Sequence, residues 1–434
     1  MKKVLILTKD FYPTSRVASF RSYGWYKYLF ENGYYPVIVT SAENIQEENI
    51  ESKMKSDEGE VLYAKYHEPL NIELERKYNS IFSKLFRKIV SLYIELTMFL
   101  FKNKYRSNIY YEAKEYLRKN KDVHLIIATG GPFILFKFAD LLSREYKIKW
   151  AGDYRDTWTQ SRSRNKLWIT KKMNLYFELK YANRANFITT VSDYLKILIS
   201  QNIKTPIHVI PNGFNDWNFT NKNTNEEQKE NLEIGFAGSI YPHHPIESFL
   251  SGVNELLVND NINIKVYFYG VNTKNELNKL VVQKFPNLSI NINFINRLSN
   301  GDLIRRMQKH HLLLVFNEYR ITGTKIFEYL ALRREILLCY TNDKEANELH
   351  RLRYIIKGAT DEDRIISRQK EIIKKTESGF SVVNKKDLII TLKNLHEKLN
   401  NNKGKLGFTS GDISDYSRRK QTKDLAKIID NANI

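Results

Sequence analysis

The chain contains a single cysteine and no long apolar run, and each shortage excludes a class of protein. Cys339 is the only cysteine among 434 residues, so neither a disulfide framework nor a zinc site built on thiolates is expected. No uninterrupted apolar segment reaches the roughly 20 residues that a helix needs to cross a bilayer. Lys2 and Lys3 precede an apolar run that ends before Lys9, which is too short for a secretory signal. We therefore expect a cytoplasmic protein.

Acidic residues are also scarce relative to basic ones. The chain has 49 Asp and Glu residues against 69 Lys and Arg residues, which gives a net charge of +20. Basic proteins favour polyanions, either nucleic acid or the surface of an anionic membrane. No recognisable nucleic-acid motif accompanies the charge, so nucleic acid is not an expected partner. An anionic membrane surface remains as a candidate partner.

Residues 81–106 favour the membrane surface. They contain an apolar, aromatic run at residues 89–101, which Glu95 interrupts and which is too short to span a bilayer. Basic residues flank the run on both sides: Lys84, Arg87 and Lys88 precede it, and Lys102, Lys104 and Arg106 follow it. A helix of this kind either lies in the membrane interface or packs against its own domain.

Apolar runs alternate with helix-like segments in both halves of the chain, which predicts an α/β protein with parallel sheets. In the first half, strands are predicted at residues 3–8, 35–40, 123–129, 148–153, 185–191 and 208–210. In the second half, they are predicted at residues 232–239, 264–269, 290–294, 311–316 and 335–340. Ser192 follows one of these strands and is placed to cap the next helix.

The composition also suggests domain boundaries. We predict an N-terminal domain at residues 1–215, with an insertion at about residues 41–120, and a C-terminal domain at residues 216–412. A polar stretch at residues 221–230 marks the linker region. The tail, residues 413–434, is amphipathic and is predicted to form a helix that packs back on the N-terminal domain.

The turn at Gly323 is the most informative local feature. It follows one predicted strand and opens a predicted helix that leads to the next strand. Glycine lets the backbone approach a ligand closely, and a helix start offers free N–H groups and a positive dipole end. Such a turn suits a phosphate group, and Glu328, one turn later, is placed to accept hydrogen bonds from sugar hydroxyls. The alternative is a helix with an ordinary polar first turn.

Asp153 and Asp156 flank Arg155 just beyond another predicted strand. In open parallel sheets, this end of a strand faces the ligand crevice. Two carboxylates held by one arginine are able to orient substrate hydroxyls, or one of them is able to act as a base. The alternative is a structural ion pair in a loop.

Several short motifs, taken in order, carry a resemblance to a known family. They are residues 11–13 with Ser19 and Arg21, then residues 153–158, 190–195, 209–214, 236–239 and 323–331. Over nearly its whole length the chain resembles the retaining glycosyltransferases of family 4 (group 1). The resemblance implies the GT-B fold, which has two Rossmann-like domains whose parallel sheets face a central cleft. It also implies a nucleotide-sugar donor on the C-terminal domain and an acceptor on the N-terminal domain.

The resemblance assigns donor-binding roles to several residues. Gly323 and Thr324 match positions whose backbone N–H groups meet the donor, and Glu328 matches the glutamate that binds the donor ribose. Family members often carry a second glutamate at the position that Arg320 occupies here, which is a departure from the pattern. Glu318, two residues earlier, is a candidate to replace it.

A second departure concerns the donor phosphates. Many relatives follow the strand end at Gly238 and Ser239 with an Arg and a Lys, and this chain lacks that pair. A diphosphate leaving group needs cationic or N–H stabilisation when no metal is present. The candidates to supply it are Lys325, then Arg320, then Arg297, together with His243 and His244. The paired histidines also suit a metal, but no carboxylate cluster accompanies them in the sequence, so we expect neither metal nor cofactor.

The function expected from the resemblance is metal-independent, retaining hexosyl transfer from a nucleotide-sugar to a saccharide or lipid-linked saccharide. Surface polysaccharide biosynthesis is the expected setting, with the enzyme cytoplasmic or peripheral on the inner face of the cytoplasmic membrane. No Ser–His or Cys–His nucleophile is apparent, which agrees with a reaction in which the leaving phosphate deprotonates the acceptor. Two alternatives remain open: a GT-B sugar-nucleotide 2-epimerase, and a non-catalytic nucleotide-sugar-binding protein on the same fold.

Overall fold

The computed structural model describes most of the chain as two compact units. The described residues are 1–12, 17–42, 53–67, 72–73, 81–100, 104–161, 167–216, 229–319, 321–352, 367–406 and 411–432. The first unit comprises Met1–Pro211 together with Arg418–Ile434, and the second comprises Asn212–Arg353 and Gly358–Ser417. Of the predicted linker at residues 221–230, residues 221–228 lie outside the described part.

The first unit is built on an eight-stranded sheet with the order β3-β4-β2-β1-β5-β6-β7-β8. Its strands are β1 (Lys2–Leu7), β2 (Tyr34–Ser41), β3 (Lys53–Ser56), β4 (Gly59–Ala64), β5 (Val123–Thr129), β6 (Lys149–Tyr154), β7 (Phe187–Thr190) and β8 (Ile207–Val209). All neighbouring strands are parallel except β3 and β4, which form an antiparallel hairpin at one edge.

Helices connect these strands. They are α1 (Val17–Tyr28), α2 (Ile81–Thr97), α3 (Lys104–Lys119), α4 (Ile134–Tyr146), α5 (Trp168–Ala182) and α6 (Asp193–Ser200). Helix α6 begins as predicted, because the Ser192 hydroxyl accepts a hydrogen bond from the Leu195 N–H at 3.2 Å. This capping contact supplies a partner to one of the N–H groups that a helix start leaves unpaired.

Part of the predicted insertion at residues 41–120 belongs to the sheet. Strand β4 pairs in parallel with β2 and buries Val61 and Leu62 completely or nearly so. Helix α3 then packs against β2 and β4 and leads into β5. The sequence signal for β4 was weak because the strand is short and contains Gly59 and Glu60.

The second unit is built on a six-stranded, fully parallel sheet with the order β11-β10-β9-β12-β13-β14. Its strands are β9 (Leu232–Ala237), β10 (Ile264–Tyr269), β11 (Ile292–Ile295), β12 (Leu312–Phe316), β13 (Glu335–Cys339) and β14 (Gly379–Ser381). Its helices are α7 (Ile246–Asp260), α8 (Lys274–Lys284), α9 (Asn300–Met307), α10 (Lys325–Leu332), α11 (Lys344–Arg351), α12 (Arg368–Thr376) and α13 (Lys385–Asn401).

Strand β12 shows why this sheet is covered on both faces. Leu312, Leu314 and Phe316 belong to one apolar cluster, whereas Leu313 and Val315 belong to another. Successive side chains of a strand point to opposite faces, so the two clusters lie on opposite sides of the sheet. A strand buried on both faces appears in the sequence as a continuous apolar run, as this one does.

The last helix of the chain, α14 (Arg418–Asn431), belongs to the first unit. Its Leu425 and Ile429 lie in the same apolar cluster as Val4 and Trp25. The helix comes very close to α1, since a Cβ atom placed on Gly24 would lie 3.0 Å from the Arg418 side chain. Within the described residues, the structure contains no helix long and apolar enough to cross a membrane.

Candidate functional site

Three predicted donor-binding residues come together where β9 ends and α10 begins. The Lys325 ammonium donates a hydrogen bond to the Ser239 carbonyl at 3.1 Å and lies 4.1 Å from the Phe236 ring centroid. Gly238 has a φ of 93°, and a Cβ atom there would lie 3.1 Å from the Lys325 side chain. The turn at Gly238 and Ser239 therefore holds the lysine against the end of the sheet.

The Lys325 ammonium is suited to an anionic ligand. Burial lowers its pKa to about 8, and the nearby charges of Glu318 and Glu328 offset only part of that effect. An ammonium group has three N–H donors, and one of them goes to the Ser239 carbonyl. An anion that accepted the remaining hydrogen bonds would replace lost hydration and stabilise the charged form.

The start of α10 supplies further donors. Gly323 has a φ of 60°, the left-handed conformation that glycine adopts without strain. Thr324 caps the helix without a side-chain hydrogen bond, and its carbonyl accepts from the Phe327 and Glu328 N–H groups. The N–H groups that precede these at a helix start have no carbonyl partner within the helix, and the dipole is positive there. Together with Lys325, this turn forms a site for phosphate oxygens.

A carboxylate held by two histidines lies beside the same turn. His243 Nε2 is 3.0 Å from one oxygen of Glu318, and His244 Nε2 is 3.1 Å from the other. A Cβ atom on Gly323 would lie 3.8 Å from the Glu318 side chain, which places this group next to the start of α10. Sequence reasoning named these residues separately but did not bring them together.

The tautomer of His244 follows from its other nitrogen. His244 Nδ1 accepts a hydrogen bond from the Tyr241 N–H at 3.2 Å, so Nε2 carries the proton and donates to Glu318. Burial lowers the pKa of His244 to about 4, so the ring is neutral at pH 7. Although burial raises it, the hydrogen bonds from His243 and His244 hold the pKa of Glu318 well below its ordinary value.

These three side chains are also of the types that bind a divalent metal, and their ligand atoms lie within 4.8 Å of one another. The sequence-based expectation of no metal rested on the lack of a carboxylate cluster, and the structure places one carboxylate, that of Glu318, beside the two histidines. However, a histidine that binds metal through Nε2 normally donates a hydrogen bond from Nδ1. The Tyr241 N–H is itself a donor aimed at Nδ1 of His244. The arrangement therefore fits a carboxylate held by two N–H groups better than a metal.

The other predicted donor-binding residues are placed differently. Glu328 is half-buried in the first turn of α10. Arg297 is exposed and lies beside the turn after β10, where a Cβ atom on Gly270 would be 3.4 Å from its backbone. The donor-binding role of Arg297 stays a prediction. Arg320 lies outside the described residues.

A cavity of about 920 Å³ adjoins the two histidines. Its walls include His243 and His244 and the ion pair that Lys284 and Glu247 form at 2.6 Å. Because its lining does not include Lys325, it is separate from the phosphate site described above.

In the first unit, Asp153 is paired with an arginine that the sequence did not connect to it. Asp153 is fully buried and accepts hydrogen bonds from Arg21 Nε at 3.0 Å and from the Thr189 hydroxyl at 2.7 Å. Arg21 also donates to the carbonyls of Ile210 and Pro211. This network ties α1 to β6, β7 and the chain after β8, so it is a structural ion pair.

The predicted clamp of Asp153 and Asp156 around Arg155 is therefore wrong for Asp153. Arg155 instead donates to the carbonyls of Ala18 at 2.9 Å and Gly130 at 3.1 Å. Asp156 is exposed at the end of β6 and remains the accessible carboxylate of the motif. The need of a buried aspartate for a partner was predictable, but which arginine would provide it was not.

No family model and no curated protein sequence matches the chain. Solved structures do resemble it over nearly the full length of both chains. A glycosyltransferase from Rickettsia africae has a TM-score of 0.59 at 12% identity, covering 100% of this chain and 98% of its own. Sucrose-phosphate synthase from Thermosynechococcus elongatus has a TM-score of 0.57 at 11% identity, covering 99% and 95%.

A third similar structure contains ligands. It is S. aureus TarM in complex with fondaparinux, alpha-GlcNAc-glycerol and UDP, with a TM-score of 0.54 at 12% identity. The alignment covers 100% of this chain and 99% of that one. At such low identity these likenesses concern the fold, and they confirm the prediction that the chain has the GT-B fold.

Proposed function

We propose that this protein is a retaining glycosyltransferase that moves a hexose from a nucleotide-sugar to a saccharide or lipid-linked saccharide. The observation that carries the proposal is the half-buried Lys325 side chain, whose ammonium is held against the Gly238 turn at the start of α10 and has a lowered pKa. The GT-B fold supports the proposal, and so does the UDP bound to TarM. The family 4 assignment and the setting in surface polysaccharide biosynthesis belong to the same proposal.

In this mechanism the second unit binds the donor. Lys325 and the N–H groups at the start of α10 stabilise the negative charge that develops on the departing diphosphate, without a metal. Glu328 accepts hydrogen bonds from the ribose hydroxyls. Glu318, oriented by His243 and His244, accepts a hydrogen bond from a hydroxyl of the donor sugar.

The transfer step requires no nucleophile from the protein. The bond between the anomeric carbon and the phosphate oxygen breaks, and a bond to the acceptor oxygen forms on the same face of the sugar. The acceptor proton passes to the leaving diphosphate, so atoms and charges balance. In this proposal Asp156 and Arg155 orient the acceptor hydroxyl, while Asp153 only positions the end of β6 through its pairing with Arg21.

Titration calorimetry with nucleoside diphosphates, followed by mass spectrometry of donor turnover across a panel of nucleotide-sugars, tests the proposal. We expect one nucleoside diphosphate to bind, and its sugar to be transferred only when a saccharide acceptor is present. If no nucleoside diphosphate binds, the proposal is wrong. Release of an altered sugar without an acceptor would indicate an epimerase, and binding without any turnover would indicate a non-catalytic protein.

A further inference from the structure

Helix α2 exposes a continuous apolar stripe. Its members are Phe82, Leu85, Phe86, Ile89 and Tyr93, and each side chain is between 52% and 86% exposed. Phe82, Phe86, Ile89 and Tyr93 are spaced by three or four residues, and Leu85 lies three residues after Phe82, so all five share one face of the helix. Large exposed apolar patches are unusual in proteins surrounded by water and mark sites of interaction.

Helix α5 exposes a second stripe that the sequence analysis did not identify. Trp168, Ile169, Tyr176 and Leu179 are between 39% and 69% exposed. The opposite face of the helix is packed, since Phe177 is buried. The helix is therefore held firmly by one face while the other presents aromatic and aliphatic side chains to solvent.

The two helices are neighbours in the first unit. The Asn174 side chain on α5 donates a hydrogen bond to Glu95 on α2 at 3.4 Å. Just after α2, the Phe99 ring stacks on the Phe177 ring of α5 at a centroid distance of 4.8 Å. These contacts anchor the end of α2 against α5, so the two exposed stripes lie on neighbouring helices.

The charges on this surface have one sign. Four lysines are exposed on the two helices: Lys84, Lys88, Lys171 and Lys172. The acidic residues of the same helices are turned inward: Glu95 is half-buried and bonded by Asn174, and Glu178 is buried and accepts from Tyr154. The exposed charged side chains of α2 and α5 are therefore all positive.

Aromatic rings and lysines are also paired on α5. The Lys172 ammonium lies 5.0 Å from the Trp168 ring, and the Lys180 ammonium lies 5.6 Å from the Tyr176 ring. Tryptophan and tyrosine favour the headgroup level of a bilayer, and lysines there extend their charged ends to the lipid phosphates. This combination fits an interfacial surface.

We propose that α2 and α5 together form a docking surface for an anionic lipid bilayer. The apolar stripes enter the boundary between headgroups and acyl chains, and the lysines contact the headgroup phosphates. Charge complementarity selects this occupant, because the exposed charged side chains described on α2 and α5 are all positive and match lipid phosphate. The Lys102, Lys104 and Arg106 side chains, which the sequence analysis also assigned to this region, lie outside the described part of the structure.

Vesicle sedimentation with the full chain tests the proposal. We expect binding to vesicles that contain phosphatidylglycerol, weak binding to pure phosphatidylcholine vesicles, and loss of binding as salt is raised. The double variant Phe86→Ser/Trp168→Ser should lose the binding. A matched control, Val258→Ser/Ile390→Ser, removes exposed apolar side chains from the second unit and should bind as the unaltered protein does.

A charge-reversal pair tests the lysines. Each lysine near an anionic surface contributes about fivefold to the binding constant, so Lys84→Glu/Lys172→Glu should weaken binding at least tenfold. The control Lys279→Glu/Lys398→Glu changes exposed lysines of the second unit and should have little effect. Thermal melts of all variants verify that they remain folded.

Two outcomes would overturn the proposal. One is failure of the unaltered protein to prefer anionic over neutral vesicles. The other combines two results. The unaltered protein is an oligomer that Phe86→Ser/Trp168→Ser converts to a monomer, as seen by light scattering, and no variant binds vesicles. That result would identify the surface as a contact between protein chains. Nucleotide binding is measured separately and should be unchanged in every variant, so the donor-site proposal stands or falls on its own.

Discussion

Replacement of Lys325 with methionine tests the phosphate site most directly. Methionine keeps much of the length and the apolar contact with the Phe236 ring but removes the ammonium and its hydrogen bond to the Ser239 carbonyl. We expect weaker binding of the nucleoside diphosphate and a more stable ligand-free protein. Both effects follow from the desolvation of the Lys325 ammonium, which gains its remaining hydrogen-bond acceptors only when the nucleoside diphosphate binds.

The magnitudes follow from the shift in pKa. Burial lowers the pKa of Lys325 from 10.5 to about 8, a difference of about 2.5 units, which corresponds to a cost of about 3 kcal/mol for the charged form. Lys325→Met removes that cost, so the free energy of unfolding at pH 7 should rise by up to about 3 kcal/mol. A hydrogen bond to a charged group contributes about 1.5–3 kcal/mol, so the nucleotide affinity should fall about 10- to 150-fold.

The pH dependence has a definite sign. Between about pH 8 and 10.5 the unfolded chain holds the Lys325 proton and the folded chain does not, so the contribution of this group to stability rises with pH. Ligand affinity has the opposite trend. Above pH 8 the free protein must take up a proton to bind the diphosphate, so the affinity should fall by up to about tenfold per pH unit.

The assay is titration calorimetry with the best-binding nucleoside diphosphate from pH 7 to 9.5, in buffers of different ionisation enthalpy to count the protons taken up. Lys279→Met, an exposed lysine on α8, is the control and should behave as the unaltered protein does. The reasoning fails if Lys325→Met retains the decline in affinity above pH 8. It also fails if the unaltered protein takes up no proton on binding at pH 9.

Three further substitutions test other parts of the structure. Gly238→Ala should weaken nucleotide binding at least tenfold by displacing Lys325. Its control is Gly33→Ala, which has a similar φ of 88° but no atom within 4 Å of the added Cβ. The control should lower stability by about 1 kcal/mol and leave nucleotide binding unchanged. Asp153→Asn leaves the buried Arg21 unpaired and should cost about 3–5 kcal/mol in urea denaturation; a cost below 1 kcal/mol would contradict the structural role. Glu328→Ala should weaken nucleotide binding about tenfold or more while binding of inorganic diphosphate changes little.

The sequence predicted most of the strands but missed β3, β4 and β14. Strands β5 and β10 have the predicted bounds because each consists of apolar, aromatic or β-branched residues apart from one polar side chain, His124 or Lys265. Strand β14 was not predicted, because it has only three residues, Gly379–Ser381, and gains its stability from pairing with β13. Pairing of that kind is a property of the assembled sheet and leaves little trace in a local pattern.

In the candidate site, too, local motifs were predictable from the sequence and long-range contacts were not. The local motif around Gly323 and Lys325 was predictable because a glycine turn at a helix start has a defined chemistry. The contacts of Glu318 with His244, and of Asp153 with Arg21, join residues that are 74 and 132 positions apart. Only the path of the chain through each sheet brings such pairs together, so a single sequence offers no direct signal for them.

The position of α14 has a consequence for the order in which the protein folds. Leu425 and Ile429 complete an apolar core whose other side includes Val4 and Trp25. On the ribosome, the segment that fills this core appears only after every residue of the second unit has been made. The unit whose synthesis begins first is therefore the last to be completed. Until then the α1 surface that α14 covers is exposed, and transiently exposed apolar surface of this kind is prone to association.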